Sequence, residues 1–351
     1  MDIEKMKIIN TIQGYSHSYI VYSAVELGIF NALYSKSMTN EQLATELHLS
    51  PLLLERFMKV LVAMDFVYQE NAQYSLTSLG DKLSNDSEES MAAMVLFNGR
   101  ICMKAWGYFY EGLKNNIPPI ELMEGEAFFE INDMSQNRLG TFNEMMRQSS
   151  SQLNLELLFQ TRKVADIKRI VDIGGGAGDV MTQLLQGFPL AEGIILDKDY
   201  IKAEAEQTIR ASCLQKRCQF IEGDFFLPLE HKADMYILSR ILHDWDDRQA
   251  SVILSNIAAV MADDNVLLII EKLLPEKVSR QALPAFLGDM HIWTLCNGQE
   301  RTESEFEQLL RQINLYIARK HFTDSDIVIL EVKKDEQHTN RGKDYEIFGA
   351  L

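Results

Sequence analysis

Cysteine is scarce in this chain, with 4 in 351 residues. Cys102, Cys213, Cys218 and Cys296 include no CxxC pair, so neither a disulfide framework nor zinc-site spacing is present. A reducing, cytoplasmic location is expected. Long apolar runs are missing as well: no stretch approaches the ~18 to 20 residues of a membrane span, so the chain reads as soluble and no membrane partner is expected. The opening residues MDIEKMKIIN lack the basic start, apolar run and small-residue cleavage site of a signal peptide. Basic charge is short too. Lys and Arg total 34 against 51 Asp and Glu, a formal net charge of −17, which repels nucleic acid and anionic lipid over most of the surface. No nucleic-acid partner is expected.

What is present is ordinary globular composition, 46% hydrophobic and 24% charged, in a chain long enough for two domains of ~100 to 200 residues. In the first third, Thr39 with Gln42 has the form of a capping box before the apolar periodicity of NEQLATELHL. Ser50-Pro51 supplies an N-cap and first-turn proline for LLLERFMKVLVAM. FVYQENAQYSLT then shows two strand-like runs around a turn signal at Glu70-Asn71. Two short helices and a hairpin make a winged helix. A DNA-reading winged helix needs several Arg, Lys, Asn or Gln on its second helix, and this one offers mainly Arg56 and Lys59 among Leu52, Leu53, Leu54, Phe57, Met58, Val60 and Leu61. Dimerisation or a substrate-lid role fits better.

Residues 91–160 read as helices rich in Met and Phe, with a loop expected at IPPIELMEGEAF. Singly, those side chains are core packing; some are candidates to line a pocket. From about residue 168, strand-like runs alternate with helical ones: RIVDIGGG, EGIILDKD, CQFIEGDF, ADMYILSR and VLLIIEKLL mark the strands. That alternation predicts an α/β fold with a Rossmann-like, parallel, doubly wound sheet, followed by a helix and two more strands. The expected organisation is residues 1–100 as a winged-helix-like dimerisation domain, 101–165 as a helical connector, 166–334 as the nucleotide-type binding domain and 335–351 as a loose tail.

In VDIGGGAGDV a strand runs through glycines into a helix, the place where such sheets bind nucleotide-like ligands. The dinucleotide fingerprint would need a third glycine where Asp179 stands. The spacing is instead DxGxGxG, through Asp172, Gly174, Gly176 and Gly178, and an acid ahead of the loop suits a cationic amino-acid end better than a pyrophosphate. Asp197 ends the second strand, placed for ribose hydroxyls; Asp224-Phe225 ends the third, a carboxylate for an exocyclic amine and a ring for adenine. Each alone is weak, since acids at strand ends more often cap helices or form turns. All four in order describe S-adenosylmethionine.

VDIGGGAGDV, FIEGDFF, LSRILHDWDD, EKLLP and NGQERTESEF, standing in that order behind the winged-helix segment and YSLTSLGDKL, resemble the class I S-adenosylmethionine-dependent O-methyltransferases of the caffeate and hydroxyindole type and their bacterial natural-product relatives. The resemblance runs from about Gly14 to Lys333. It implies a dimerising N-terminal domain, and hence a homodimer, with a Rossmann-like methyltransferase domain behind it. It implies His243 as catalytic base supported by Glu271 and Glu300, Ser239 and Arg240 as further cofactor contacts, and Trp106, Phe142, Met145, Met146, Phe286, Met290, His291 and Trp293 as acceptor-lining residues. After Asp197 the family often continues with a proline and an apolar pair; here Lys198-Asp199-Tyr200 follows.

The chemistry is consistent with these assignments. A hydroxyl attacking a sulfonium methyl must lose its proton, and a histidine of ordinary pKa ~6.5 is available as base at neutral pH. His243 stands at the ligand end of the fourth strand, where an acid at its other ring nitrogen would fix the tautomer. The plainer alternative is that His243 caps a helix or satisfies Asp244. Trp245 reads as an aromatic anchor, Asp246-Asp247 as acids favourable at a helix start, and Asp244 serves either purpose. His291 is read either as a polar contact to the acceptor or as a core histidine satisfied by Asp289. No His, Cys and carboxylate cluster at ligand spacing is visible, so a metal-free reaction is expected. The acceptor is expected to be a hydroxylated aromatic or polyketide-like small molecule. Two other classes stay open: relatives that keep the cofactor as a scaffold for decarboxylation, hydroxylation or cyclisation, and a cofactor sensor that reads DNA.

Overall fold

In a computed structural model, residues 2–130, 136–151, 153, 155–161, 167–323 and 326–335 are described. Apart from Asp335, the expected tail lies outside them. The chain divides into two compact units, residues 1–108 with 132–148, and 109–131 with 149–351.

The capping signals act as the sequence predicts in the first unit. Thr39 opens the helix Asn40–Glu46 with a complete capping box: its hydroxyl accepts the Gln42 N–H, and Gln42 Oε1 accepts the Thr39 N–H at 2.8 Å. The helix Pro51–Ala63 starts on its proline and buries Leu54, Met58 and Leu61 against the unit's core. Strand β1 (Met38–Thr39) precedes this helix, and β2 (Val67–Glu70) and β3 (Gln73–Leu76) follow it, in a sheet ordered β1-β3-β2. The hairpin turns at Asn71 and Ala72, one residue later than the turn signal. Both carry positive φ, +48° and +62°, the mirror-image turn whose twist matches the flanking strands. Leu52 and Leu53 on the second helix are exposed, and Lys59 pairs with Glu55 at 2.7 Å.

The helical segment from residue 91 is broken where a continuous helix would be simplest. Ala92–Phe97 passes through a π turn, Asn98–Cys102, before Met103–Trp106. Gly99 leaves room there for the Tyr22 ring, and Arg100 forks onto Glu26 with two 3.0 Å bonds. Those contacts tie the turn to the long first helix, Ile3–Glu26.

The second unit is built on β4 (Arg169–Ile173), β5 (Glu192–Asp197), β6 (Cys218–Glu222), β7 (Met235–Ser239), β8 (Val266–Leu274), β9 (Arg301–Thr302), β10 (Leu315–Phe322) and β11 (Ile327–Lys334). The main order is β10-β11-β8-β7-β4-β5-β6, with β9 paired to β8. Pairings among β4 to β8 are parallel, and helices such as Asp179–Gly187 and Asp247–Val260 cover the sheet. Buried on both faces, strands β4, β7 and β8 read as nearly continuous apolar runs. This is the expected doubly wound α/β architecture.

One feature differs from the sequence reading and one is left open by it. Within the loop expected at residues 117–128, Pro119 starts a short helix, Pro119–Glu124, that Gly125 ends in a left-handed conformation; proline at the start and glycine past the end are themselves the helix signal. At the sheet edge, β11 enters antiparallel between β8 and β10. Among the described residues no helix is long and apolar enough to cross a membrane.

Candidate active site

The carboxyl ends of β4, β7 and β8 converge on one set of polar groups. Asp172, near the end of β4, is fully buried, and neither carboxylate oxygen has a hydrogen-bond partner. Burial, reinforced by Asp197, raises its pKa to about 7. Beside it, at the end of β7, the Ser239 hydroxyl is likewise buried without a partner. Between β4 and the helix at Asp179, the glycine loop has φ of +69°, +54° and +85° at Gly174, Gly176 and Gly178. At Gly176 an added Cβ would point into open space. A ligand with an ammonium end provides the partner that Asp172 lacks, so these residues fit the group that the sequence implies.

Asp197, expected at the ribose, also acts within the protein itself. Its Oδ2 accepts the Gly176 N–H at 2.8 Å and its Oδ1 the Lys198 N–H at 2.7 Å, so the carboxylate that ends β5 also braces the glycine loop. Lys198, at the departure from the family pattern, reaches Asp224 Oδ2 at 2.7 Å. Burial pushes the Asp224 pKa up, but the Lys198 ion pair and the Phe226 N–H outweigh it and hold the group below its ordinary value. The Phe225 ring lies against Gly174, among Phe226 and Trp245. Arg240 leaves β7 with φ +55°. It is buried, which lowers its pKa, within the fields of Glu271, Asp244, Asp179 and Asp172.

His243 occupies a single 3-10 turn, Leu242–Asp244. Glu271, inside β8 and fully buried, fixes this turn from below: its Oε1 accepts the N–H groups of Ile241 at 3.0 Å and Leu242 at 2.8 Å. The ring Nδ1 lies 3.1 Å from Glu300 Oε1 and 3.5 Å from Glu271 Oε2, and Nε2 lies 3.7 Å from Asp244 Oδ1. Two carboxylates at Nδ1 demand a proton there, which leaves Nε2 as the basic nitrogen of the neutral ring. Burial works against the imidazolium, yet Glu271, Asp244 and Glu300 together raise the His243 pKa to about 10. Burial raises Glu271 to about 7 although His243 pulls it down. Asp244 is raised by burial as well.

Trp245 stacks on Phe129 at 5.6 Å and meets Phe226 edge-on at 4.8 Å. Asp246 caps the helix Asp247–Val260 through the Gln249 N–H. The fold also creates a cluster invisible as sequence spacing: ligand atoms of His243, Glu271 and Glu300 all lie within 4.8 Å of one another, a set able to hold a metal ion.

The expected acceptor-lining residues are divided between the two units. Trp106, Phe142, Met145 and Met146 are partly buried in the first, where Phe142 packs on Phe97 at 5.4 Å. Phe286, Met290, His291 and Trp293 lie on the helix Leu283–Cys296 of the second. On that helix Trp293 meets Phe109 edge-on at 5.8 Å. Burial and Lys272 lower the His291 pKa, while Asp289, its suggested partner, accepts the Glu300 N–H at 2.9 Å.

The family model of the O-methyltransferase domain matches residues 107–314, and that of the O-methyltransferase dimerisation domain matches residues 9–86. The chain belongs to the O-methyltransferase family. This agrees with the expected activity class and cofactor, S-adenosylmethionine-dependent methyl transfer. The methyltransferase is similar to O-demethylpuromycin-O-methyltransferase of Streptomyces alboniger, 27% identical over 87% of this chain and 82% of that one. It is also 27% identical to the phenazine-1-carboxylate N-methyltransferase of Pseudomonas aeruginosa, over 86% and 89% of the two chains. Among solved structures, LaPhzM superposes with a TM-score of 0.86 at 26% identity, covering 95% of this chain and all 100% of that one. The O-methyltransferase NcsB1 of neocarzinostatin biosynthesis, solved with S-adenosylmethionine and 2-hydroxy-5-methyl naphthoic acid, matches at a TM-score of 0.77 and 25% identity over 91% and 96% of the chains.

The sequence named Asp289 only as a partner for His291, not for the Glu300 N–H, and it did not show the loop-bracing use of Asp197 or the pairing of Lys198 with Asp224. Only Lys198 carried a signal, its departure from the family pattern.

Proposed function

We propose that this enzyme methylates a hydroxyl of an aromatic or polyketide-like small molecule without a metal, His243 acting as general base. The observation that carries the reading is the triad of His243 Nδ1 with Glu300 and Glu271. The bound cofactor supplies an electrophilic methyl on a sulfonium. Asp172, Gly174, Gly176, Gly178, Asp197, Asp224, Phe225, Ser239 and Arg240 would hold it, with Asp172 taking the ammonium end. Trp106, Phe142, Met145, Met146, Phe286, Met290, His291 and Trp293 would meet the acceptor.

The residues perform two tasks. In the neutral ring the carboxylates at Nδ1 leave Nε2 to take the hydroxyl proton, and they then stabilise the imidazolium. A ring of pKa about 10 has nearly the proton affinity of a phenolate, ~10, so transfer between them is close to thermoneutral. For a metal to use the same three groups it would have to displace the proton that Nδ1 shares with Glu300. A homodimer formed through the first unit is part of the proposal: the first helix carries Ile8, Ile12, Tyr15 and Tyr19 exposed, an apolar face suited to a second copy.

Nitrogen methylation is the second reading, favoured by the N-methyltransferase relative; an aromatic nitrogen with a lone pair needs no base. The deciding experiment is single-turnover transfer of radiolabelled methyl to a panel of hydroxylated benzoates, naphthoates and phenazines, with the product bond assigned by NMR. Label on oxygen, falling ~100-fold or more in His243→Ala while cofactor binding persists, is the expected result. Equal rates with and without the imidazole would remove the base.

A further inference from the structure

Immediately after Glu300 stands Arg301, the largest side chain in the described structure that is almost completely buried. A buried guanidinium is costly unless every donor is matched, and here the partners all lie on the short segment that carries His243. Nη1 donates to the Leu242 carbonyl at 2.7 Å, Nη2 to the Trp245 carbonyl at 2.8 Å, and Nε to Asp247 Oδ1 at 2.9 Å. The two carbonyls flank His243 and Asp244, so one planar fork spans the 3-10 turn from end to end. The Phe306 ring lies 5.9 Å beneath the guanidinium carbon.

The neighbouring residues dock on the same turn. Gln299 donates its N–H to the His243 carbonyl at 2.9 Å, and its side chain reaches Asp247 at 2.6 Å. Gly298 packs so closely that a Cβ there would overlap the His243 carbonyl and the Asp244 backbone. One short stretch therefore supplies Glu300 to the imidazole and holds the backbone on which that imidazole stands.

We propose that Arg301 is a positioning residue, which acts through His243 by locking the 242–247 turn so that Nδ1 stays on Glu300 and Glu271. The proposal rests on the base reading above. Lysine at this position keeps the charge but lacks the planar fork needed to reach two divergent carbonyls and a carboxylate together.

The first test needs neither cofactor nor acceptor: the His243 ring is titrated by NMR in the cofactor-free protein, its signal assigned by loss in His243→Asn. In the wild type the expected midpoint lies well above the ordinary 6.5, raised by Glu271, Asp244 and Glu300; in R301K we expect it to fall by a unit or more, with the thermal transition still cooperative. An unchanged midpoint in folded R301K overturns the proposal, because a merely structural arginine would change the melting temperature and leave the titration alone. Should R301K fail to fold, Gly298→Ala takes its place, since it displaces the same turn without touching a charge; the same fall supports the lock and no fall overturns it.

The second test is single-turnover methyl transfer. R301K should slow it ~10-fold or more with cofactor affinity unchanged, and should slow it no further in a His243→Asn background. Additive losses would place Arg301's effect elsewhere and overturn the proposal. If His243→Asn alone leaves transfer intact, the base reading fails, while the titration still judges whether Arg301 holds the imidazole.

Discussion

His243 Nδ1 and Glu300 Oε1 lie 3.1 Å apart across a sequence separation of 57 residues, and the contact decides which ring nitrogen is basic. Glu300→Gln keeps an oxygen able to accept from Nδ1–H but removes the charge that stabilises the imidazolium. The expected outcome is a fall in kcat of ~10- to 100-fold with little change in KM, measured by steady-state methyl transfer beside cofactor titration calorimetry.

The pH dependence follows from the raised imidazole. Its stabilising interaction is fully present below the unfolded value, 6.5, and is lost as pH rises through about 10. Glu271, raised to about 7, acts in the same direction at lower pH. With His243 as the proposed base, transfer requires the neutral ring, so kcat/KM should climb from pH 7 towards 10 while the melting temperature declines. In His243→Asn both slopes should flatten, as calorimetry and pH-rate profiles would show.

Asp172 makes the cofactor-free protein less stable at neutral pH than it need be. Its folded pKa of about 7 lies above the unfolded 3.8, so the stability linked to its proton is full below 3.8 and lost as pH rises through 7. Asp172→Asn should therefore raise the melting temperature of the cofactor-free protein at pH 8 by a few degrees, corresponding to ~1 to 3 kcal/mol. The same variant should weaken S-adenosylmethionine ~10- to 100-fold. Thermal shift with and without cofactor reads both effects.

The three ligand-capable groups His243, Glu271 and Glu300 give a direct check on metal-free chemistry. Dialysis against a strong chelator should leave the rate within twofold, and added magnesium or zinc should not accelerate it. A rate restored only by a divalent ion would assign the cluster to that ion.

The first helix gives the fifth prediction. Ile8 and Ile12 are 59% and 66% exposed, and Ile8→Asp with Ile12→Asp should shift a dimeric sedimentation coefficient to a monomeric one with little loss of helix content. A monomeric wild type at micromolar concentration would count against the dimer.

Much of this arrangement was legible because its signals are local. The Thr39 and Gln42 capping box, the Pro51 start and the spacing of Gly174, Gly176 and Gly178 each depend on residues within a few positions of one another, so the chain announces them before it folds. The turn at Asn71 and Ala72 was shifted by one residue, since a left-handed alanine is an uncommon choice. The helix at Pro119 hid in what read as a loop, although Pro119 and Gly125 carry its two end signals. What could not be read is non-local. Nothing near Arg301 in sequence names the carbonyls of Leu242 and Trp245, and nothing near Asp289 indicates that its carboxylate takes the Glu300 N–H. Such pairs exist only after β8 and β9 align.

The Asp289 contact sets a boundary for anyone who would redesign this enzyme's acceptor range. Phe286, Met290 and Trp293, which we propose meet the acceptor, share the helix Leu283–Cys296 with Asp289, and Asp289 grips the backbone of Glu300. Substitutions that resize the first three while preserving the helix's rotation leave that grip intact. Insertions, deletions or prolines that turn the helix by even one residue drag the carboxylate away from the imidazole. The practical unit of diversification is thus the single side chain, never the register.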